Sequence, residues 1–235
     1  MKKKVMMMLG MLMIGFVAFS QAVKDRQVIP VAVNLNQVLR MTITNGGNIE
    51  FVFNSIDEYS NGLSGDAATS GSANPAATDG FYVTDFTVSS STRWGINFGS
   101  EQATFIGTDN PANTLDLTNV GYTLVSNGTN TFEGAGNAKG TTPGDDLFSI
   151  VTDNGNEVAG LEEYPALLIE DNDAAATSNA GDAAENTFQL VWRCGTAEAS
   201  TAPTVMATSS LLDQQPSPTP DRYVTNVLFE LFVDN

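Results

Sequence analysis

Alternating apolar and polar residues over positions 38–53 predict two β-strands joined by a tight turn. Apolar residues occupy every second position of Leu39–Ile43 in the first arm and of Ile49–Phe53 in the second. A three-residue Asn45–Gly47 loop keeps these side chains on one face, whereas a two-residue loop sets apolar residues opposite polar ones. Because the third loop position needs a positive φ, which glycine adopts cheaply, we predict a β-hairpin with the three-residue loop.

Similar patterns along the rest of the chain predict further short strands. Residues 27–36 form an extended apolar segment with Pro30 near its start, which suits an edge strand because proline cannot donate to a ladder. Arg93–Gly99 places its large apolar residues on one face, and the less regular run Phe81–Val88 indicates a bulge near Asp85. The other candidate strands are Ala103–Ile106, Leu115–Val125, Leu147–Val151, Ala166–Ile169, Thr187–Arg193, Thr204–Ala207 and a strand within Tyr223–Asn235.

The pattern of helical and strand signals predicts an all-β fold. One helical turn is indicated at Ser55–Tyr59, ended by Asn61 and Gly62, and no longer window keeps a helical stripe. Clusters of glycine, asparagine and aspartate separate the strands. We predict an immunoglobulin-like or jelly-roll-like antiparallel β-sandwich over residues 23–235, built as one unit or as two packed sub-domains that divide near residues 126–146.

The first 22 residues have the pattern of a cleaved signal peptide. Three lysines precede the apolar run Val5–Phe19, and small residues follow it near Ser20 and Ala22. The run has about 15 residues, fewer than the roughly 20 that a membrane-spanning helix needs. We therefore expect export to the cell surface or the extracellular space, with no transmembrane segment in the mature chain.

Charge and cysteine content narrow the partners further. Three of the ten basic residues lie in the signal peptide, so the mature chain carries seven basic and 27 acidic residues, a net charge of −20. Nucleic acid and anionic membranes are poor partners for such a chain, because binding them needs clustered lysine and arginine. The single cysteine, Cys194, cannot form an internal disulfide, and its apolar surroundings predict a buried thiol.

The chain contains no histidine, which excludes histidine-based catalytic relays and imidazole metal sites. Two facing carboxylates could still hydrolyse a glycoside. The acidic doublets Asp145–Asp146 and Glu162–Glu163 would point to opposite faces of an extended chain, so neither forms such a pair by itself. We therefore predict that the protein is not an enzyme, and keep a carboxylate-dependent glycosidase as the weakest alternative.

Two acidic runs are candidate calcium sites, because calcium takes six to eight oxygen ligands. The second run spans residues 153–157, and neither has the twelve-residue helix-loop-helix spacing. Solvated acidic loops are the alternative interpretation. The predicted ligands of the first run are Asp171, Asp173, Asp182 and Glu185.

Glycan binding would need exposed aromatic rings. Trp94 and Trp192 lie in strand patterns and are expected in the core. The predicted glycan-binding residues are Tyr59, Tyr82, Tyr122 and Tyr164.

The last strand is strongly apolar and must be paired and covered. It is either a central strand of the chain's own sandwich or a strand exchanged with a neighbouring subunit by addition to an open sheet edge. The residues of its apolar face, the predicted assembly strand, are Val227, Phe229, Leu231 and Val233.

Two sequence stretches, Asn48–Gly62 and Phe86–Phe98, resemble secreted bacterial β-sandwich surface proteins of the pilin-like or spore-coat-like kind. The resemblance implies an immunoglobulin-like sandwich with a surface or assembly role. This chain lacks the cysteine pair of typical pilins and is longer, so the resemblance implies no particular assembly route. The sequence thus predicts an exported, non-enzymatic structural protein that associates with itself or with other surface proteins, or alternatively a carbohydrate-binding or adhesive module that uses calcium.

Overall fold

Most of the chain after residue 28 is described by the computed structural model. The predicted signal peptide, Asp173 and the acidic run 153–157 lie outside the described residues. The chain divides into residues 1–36 and residues 37–235. The described residues are 27, 29–65, 81–129, 148–150, 158–171, 178–197 and 206–234.

Short strands dominate the described chain. The early elements are β1 (Leu39–Asn45), α1 (Ile56–Asn61), β2 (Leu63–Ser64), β3 (Val83–Ser90), β4 (Trp94–Ser100), β5 (Thr104–Gly107), β6 (Thr114–Asp116) and a 3-10 turn (Leu117–Asn119). The later elements are β7 (Val120–Ser126), β8 (Phe148–Ile150), β9 (Ala159–Gly160), β10 (Ala166–Asp171), β11 (Thr187–Cys194), β12 (Tyr223–Val224) and β13 (Val227–Val233).

The strands form two large antiparallel sheets and one small one. Sheet I has the order β1-β3-β11-β7-β9, with β2 also paired to β11, and sheet II has the order β13-β4-β10-β8. The small third sheet has the order β12-β5-β6. The prediction of an all-β fold with antiparallel sheets packed together is confirmed. Strands from both sides of residues 126–146 share sheets I and II, since β11 lies between β3 and β7 and β13 pairs with β4.

Aromatic side chains from both large sheets meet in the core. The Phe98 ring of sheet II lies edge-on to Tyr122 of sheet I, with ring centroids 5.0 Å apart. The predicted apolar face of the Arg93–Gly99 strand is confirmed, because Trp94 and Ile96 are fully buried and Phe98 is 1% exposed. Burial of alternate side chains from both sheets is the main force that holds them together.

The hairpin prediction for residues 38–53 is wrong. Strand β1 pairs antiparallel with β3, placing Ile43 opposite Phe86. Gly46 has φ +65°, and a Cβ there would lie 1.7 Å from the carbonyl oxygen of Val83, so the chain turns closely against the start of β3. Residues 46–54 contain no strand, yet Ile49 still packs against the core. The alternation therefore predicted the buried face but not the partner strand.

The bulge predicted near Asp85 is found there, with the extra residue on the partner strand β1, where the register shifts between Ile43 and Asn45. One further strand prediction needs correction. The candidate Leu115–Val125 is divided by the 3-10 turn, whose capping Asp116 Oδ1 accepts a hydrogen bond of 2.9 Å from the Thr118 N–H. A side chain that accepts a hydrogen bond from a nearby backbone N–H competes with the hydrogen bonds between strands.

The predicted edge strand at residues 27–36 is also wrong, since residues 27 and 29–36 have no strand structure. A strand needs a hydrogen-bonding neighbour, and no described strand pairs with this segment.

The predicted helical turn is confirmed as α1. The Ser55 hydroxyl accepts a hydrogen bond from the Glu58 N–H, and the Glu58 carboxylate accepts one from the Ser55 N–H. This capping box fixes the start of the helix, and Gly62 at φ +74° ends it.

Candidate assembly surface

Strand β13 lies at the edge of sheet II. Each of its residues from Val227 to Val233 is in register with β4, ending with Val233 opposite Trp94. Among the described strands, only β4 pairs with β13. The predicted final strand therefore belongs to the chain's own sandwich, but as an edge strand and not as a central one. In an antiparallel edge strand, alternate N–H and C=O groups point away from the sheet and are available to a further strand.

The inner face of β13 covers part of the core without being fully covered itself. Val227, Phe229 and Leu231 pack against the buried cluster but remain half-buried, as does Val233 at the end of the strand. The Phe229 ring centroid is 4.9 Å from that of Phe98. Apolar surface is therefore incompletely covered at this edge.

The outer face of β13 is organised by its neighbours in sheet II. Glu230 accepts a hydrogen bond of 2.6 Å from the Tyr164 hydroxyl and one of 3.2 Å from Asn97 Nδ2. The Tyr164 bond is the main reason that the pKa of the Glu230 carboxyl is lowered. Phe232 lies against Gly95, where a Cβ would come within 2.3 Å of the ring. These contacts fix the side chains of β13 but leave its open edge unoccupied by any described strand.

Strand β1 is the corresponding edge of sheet I. It pairs with β3 alone among the described strands, and it approaches β13 in space. Its Leu39 and Met41 are half-buried against the core, while Ile43 is 45% exposed. Two seven-residue edges, β1 and β13, therefore lie near each other.

Residues 29–36, which we name the leading segment, expose large apolar side chains at alternate positions. Ile29, Val31, Val33 and Leu35 are 78–88% exposed. No backbone group of this segment makes a hydrogen bond to another described residue. The first backbone connection comes at Val38, whose N–H donates to Ser91 Oγ over 2.9 Å. The sequence pattern indicated a strand here but could not show that the strand lacks a partner.

The predicted calcium ligands are only partly within the described chain. Asp171 ends β10, and nothing is described of its side chain. Asp182 and Glu185 share one turn: Asp182 Oδ1 accepts from the Ala184 N–H at 2.7 Å, and Glu185 Oε2 accepts from the Asp182 N–H at 2.9 Å. The Ala184 bond is the main reason that the pKa of Asp182 is lowered. Within the described ranges, no group of three His, Cys, Asp or Glu side chains is placed to hold a metal ion.

The predicted glycan-binding tyrosines differ in burial and in their neighbours. Tyr122 is 7% exposed, and burial raises its pKa, so its ring offers no platform to a sugar. Tyr82 stacks on Phe51 with ring centroids 4.5 Å apart. Tyr59 lines a cavity of about 200 Å³ with Leu212 and other apolar residues. Tyr164 is half-buried and donates a hydrogen bond to the Glu230 carboxylate.

Cys194 is buried at 4% exposure, as its apolar surroundings predicted. Desolvation raises the pKa of its thiol to about 12. A buried neutral thiol is a poor nucleophile, so Cys194 contributes packing to the described core.

In the part of the chain that the structure describes, no helix has both the length and the apolar character needed to cross a membrane. The chain matches no protein-family model and no curated protein sequence.

Proposed function

We propose that the chain is an exported structural protein of the cell surface that associates with itself through its open sheet edges and has no catalytic activity. The observation that carries this proposal is β13, a seven-residue edge strand whose core-facing side chains are only half-buried. Addition of a neighbouring strand would satisfy the outward backbone groups and cover this apolar surface.

The composition supports the same proposal. The absence of histidine removes the commonest catalytic designs. The predicted signal peptide supports export, and the single cysteine leaves the exported domain to be stabilised by its core or by association.

A matched pair of substitutions tests the role of the β13 edge. Leu228 in β13 and Val224 in β12 have nearly equal exposure, 37% and 38%, but belong to different sheets. We expect the chain from Val23 onward to form oligomers or filaments. A lysine on the β13 edge hinders the approach of another strand to that edge, so Leu228→Lys should weaken association roughly tenfold or more. Val224→Lys places its lysine on the edge of the small third sheet and should not weaken association.

Sedimentation over a range of protein concentrations, together with electron microscopy, measures both outcomes. The two variants add the same charge, so a difference between them reports on the edge and not on net charge. A monodisperse monomer at every salt and protein concentration would overturn the proposed function.

A second candidate, glycan binding, is favoured by the contact between Tyr164 and Glu230. An aromatic ring can stack on the face of a sugar ring, and the neighbouring Glu230 carboxylate and Asn97 amide can form hydrogen bonds with sugar hydroxyls. Binding to a glycan array should be lost in Tyr164→Ala and largely kept in Tyr164→Phe, which preserves the ring. Equal binding by Tyr164→Ala and the unchanged chain would exclude this surface.

A further inference from the structure

We infer that the leading segment of one copy, centred on Ile29–Leu35, pairs as an added strand with the open edge of β13 in a second copy. This inference rests on the proposed self-association and names the two surfaces that carry it.

The leading segment has the pattern of a strand that is covered on one face. Its large apolar residues recur at every second position, and Pro30, Ala32 and Asn34 lie between them. In water, side chains such as Val31 at 84% and Leu35 at 88% exposure gain free energy when they are buried. Since the segment makes no backbone hydrogen bonds to described residues, its C=O groups, and its N–H groups except at Pro30, are available for a ladder.

The edge of β13 meets the requirements of an acceptor. It is seven residues long, and the apolar stretch Ile29–Leu35 is also seven residues long. The half-buried side chains of Val227, Phe229 and Leu231 lie on the core side of this edge. An added strand would place its own apolar side chains beside them and extend the layer that covers the core.

The absence of charge on this segment favours its contact with a second copy. The mature chain has a net charge of −20, so most surfaces of two copies repel each other. The sequence from Gln27 to Leu39 contains no charged residue, between Arg26 and Arg40. Contact through this uncharged stretch brings no carboxylate of the donor strand against the acidic acceptor.

The alternation within the segment provides a matched test. In one variant, Val31→Asp and Val33→Asp place two acids on the apolar face. In the control, Ala32→Asp and Asn34→Asp place two acids on the opposite face. All four residues are exposed in the described chain, so neither variant removes a buried contact.

Sedimentation equilibrium of the chain from Val23 onward compares the three proteins at equal ionic strength. We expect the apolar-face variant to associate at least tenfold more weakly than the unchanged chain and the control to stay within about threefold of it, since a strand at an edge buries one face and leaves the other in solvent. Equal weakening of both variants would indicate general repulsion and would overturn the inference.

A labelled peptide of residues 27–37 provides the second measurement. Its binding to the apolar-face variant, followed by fluorescence anisotropy, should be specific, because that variant keeps an intact β13 but has a disabled donor. Leu228→Lys added to that variant should weaken peptide binding, and Val224→Lys should not. Absence of peptide binding would overturn the inference.

The outcomes separate the inference from the proposed function. If the unchanged chain assembles and the apolar-face variant assembles equally well, the inference fails and the proposed function stands. If the unchanged chain is a monomer at every concentration, the proposed function fails. A further outcome is that such a monomer binds the peptide only after the Val31→Asp and Val33→Asp changes. That result would mean that the segment pairs with β13 of its own chain, and it would overturn the inference that β13 accepts the segment of a second copy.

Discussion

Asn179 forms hydrogen bonds with the backbone at the start of β4, as a neighbouring strand would. Its Oδ1 accepts a hydrogen bond of 3.1 Å from the Trp94 N–H, and its Nδ2 donates one of 2.8 Å to the Trp94 carbonyl oxygen. Its own carbonyl oxygen accepts from Trp94 Nε1 at 2.9 Å. One fully buried amide thus forms hydrogen bonds with both backbone groups of a core tryptophan that lies away from water.

We predict that Asn179→Ala lowers the free energy of unfolding by about 2–4 kcal/mol, because it leaves the buried N–H and C=O of Trp94 without these partners. Urea denaturation followed by tryptophan fluorescence measures the change. Asn97→Ala, which removes a half-buried amide from the same strand, should cost less than about 1 kcal/mol. Equal stability of the Asn179→Ala and unchanged chains would contradict this role.

Asp221 joins β12 to the loop between β5 and β6 through its ionised carboxylate. Oδ1 accepts from the Asp109 N–H at 3.0 Å, and Oδ2 accepts from Asn113 Nδ2 at 2.9 Å. These bonds, with the Asp109 bond as the largest cause, lower the pKa of Asp221 below its ordinary value of 3.8. The ionised form therefore stabilises the folded state above the ordinary pKa, and this contribution is lost as the pH falls through the lowered value.

We predict that the melting temperature falls between about pH 4 and about pH 2 by a smaller amount in Asp221→Asn than in the unchanged chain, since the variant has no carboxylate left to protonate. Differential scanning calorimetry across this range gives the comparison. Asp57→Asn, an exposed aspartate in α1, provides the charge-matched control. Parallel pH profiles for the unchanged chain and Asp221→Asn would refute the assignment.

At the scale of the elements, the turn after β1 depends on one of two adjacent glycines. Gly46 has φ +65°, with the Val83 carbonyl oxygen 1.7 Å from the site of a Cβ, whereas a Cβ at Gly47 would meet nothing within 4 Å. The Thr84 hydroxyl also donates a 2.7 Å hydrogen bond to the Gly46 carbonyl oxygen. The close approach of two backbones therefore fixes where β1 ends.

We predict that Gly46→Ala destabilises the fold by more than about 2 kcal/mol, because alanine is strained at this φ and its Cβ meets backbone atoms that cannot move aside. Gly47→Ala should change stability by less than about 1 kcal/mol. Chemical denaturation of the two variants side by side makes the comparison. Similar effects at both positions would show that the turn is not held by this contact.

The faces of the strands were predictable from sequence, but their neighbours were not. The alternation in Arg93–Gly99 correctly placed Trp94 in the core, because burial of one face imposes a period of two. The same alternation in β1 suggested a local hairpin, yet Ile43 pairs with Phe86, which lies far along the chain. Periodicity indicates which face of a strand is buried, but it does not indicate which strand pairs with it.

The candidate site was predictable to the same extent. The apolar face of β13 was identified from its pattern, and Phe229 does pack against the core. That β13 is an edge, and that the leading segment has no partner among described strands, depends on long-range pairing that the pattern does not contain. Tyr122 was misplaced on the surface for a related reason, since its pairing with Trp192 in the middle of sheet I brings it into the core.

At the scale of the whole molecule, the acidic surface opposes assembly. The full chain has a net charge of −17, so copies repel over distances set by the Debye length, which is about 10 Å at 0.1 M salt and about 3 Å at 1 M. The ion pair between Arg222 and Glu50, at 3.1 Å, is largely exposed and neutralises little of this charge. Salt should therefore favour association by screening.

We predict that self-association strengthens roughly tenfold or more between about 0.02 M and about 0.5 M sodium chloride. Calcium should strengthen it further than sodium chloride of equal ionic strength, and a chelator should reverse that part. Light scattering and electron microscopy under the four conditions measure both effects. Identical assembly with calcium and with chelator would contradict the predicted effect of calcium, and weakening by salt would contradict the electrostatic account.

The pairing of early with late strands also constrains how a nascent chain acquires its structure. Asn97 in β4 and its partner Glu230 in β13 are 133 positions apart, so synthesis from the amino terminus produces β4 long before the strand that flanks it. Such non-local topologies fold slowly, because the entropy of closing a long loop is lost before the distant contacts stabilise the chain. A polypeptide truncated ahead of Val227 would leave β4 bare along one side, so incomplete translation products should aggregate more readily than finished ones.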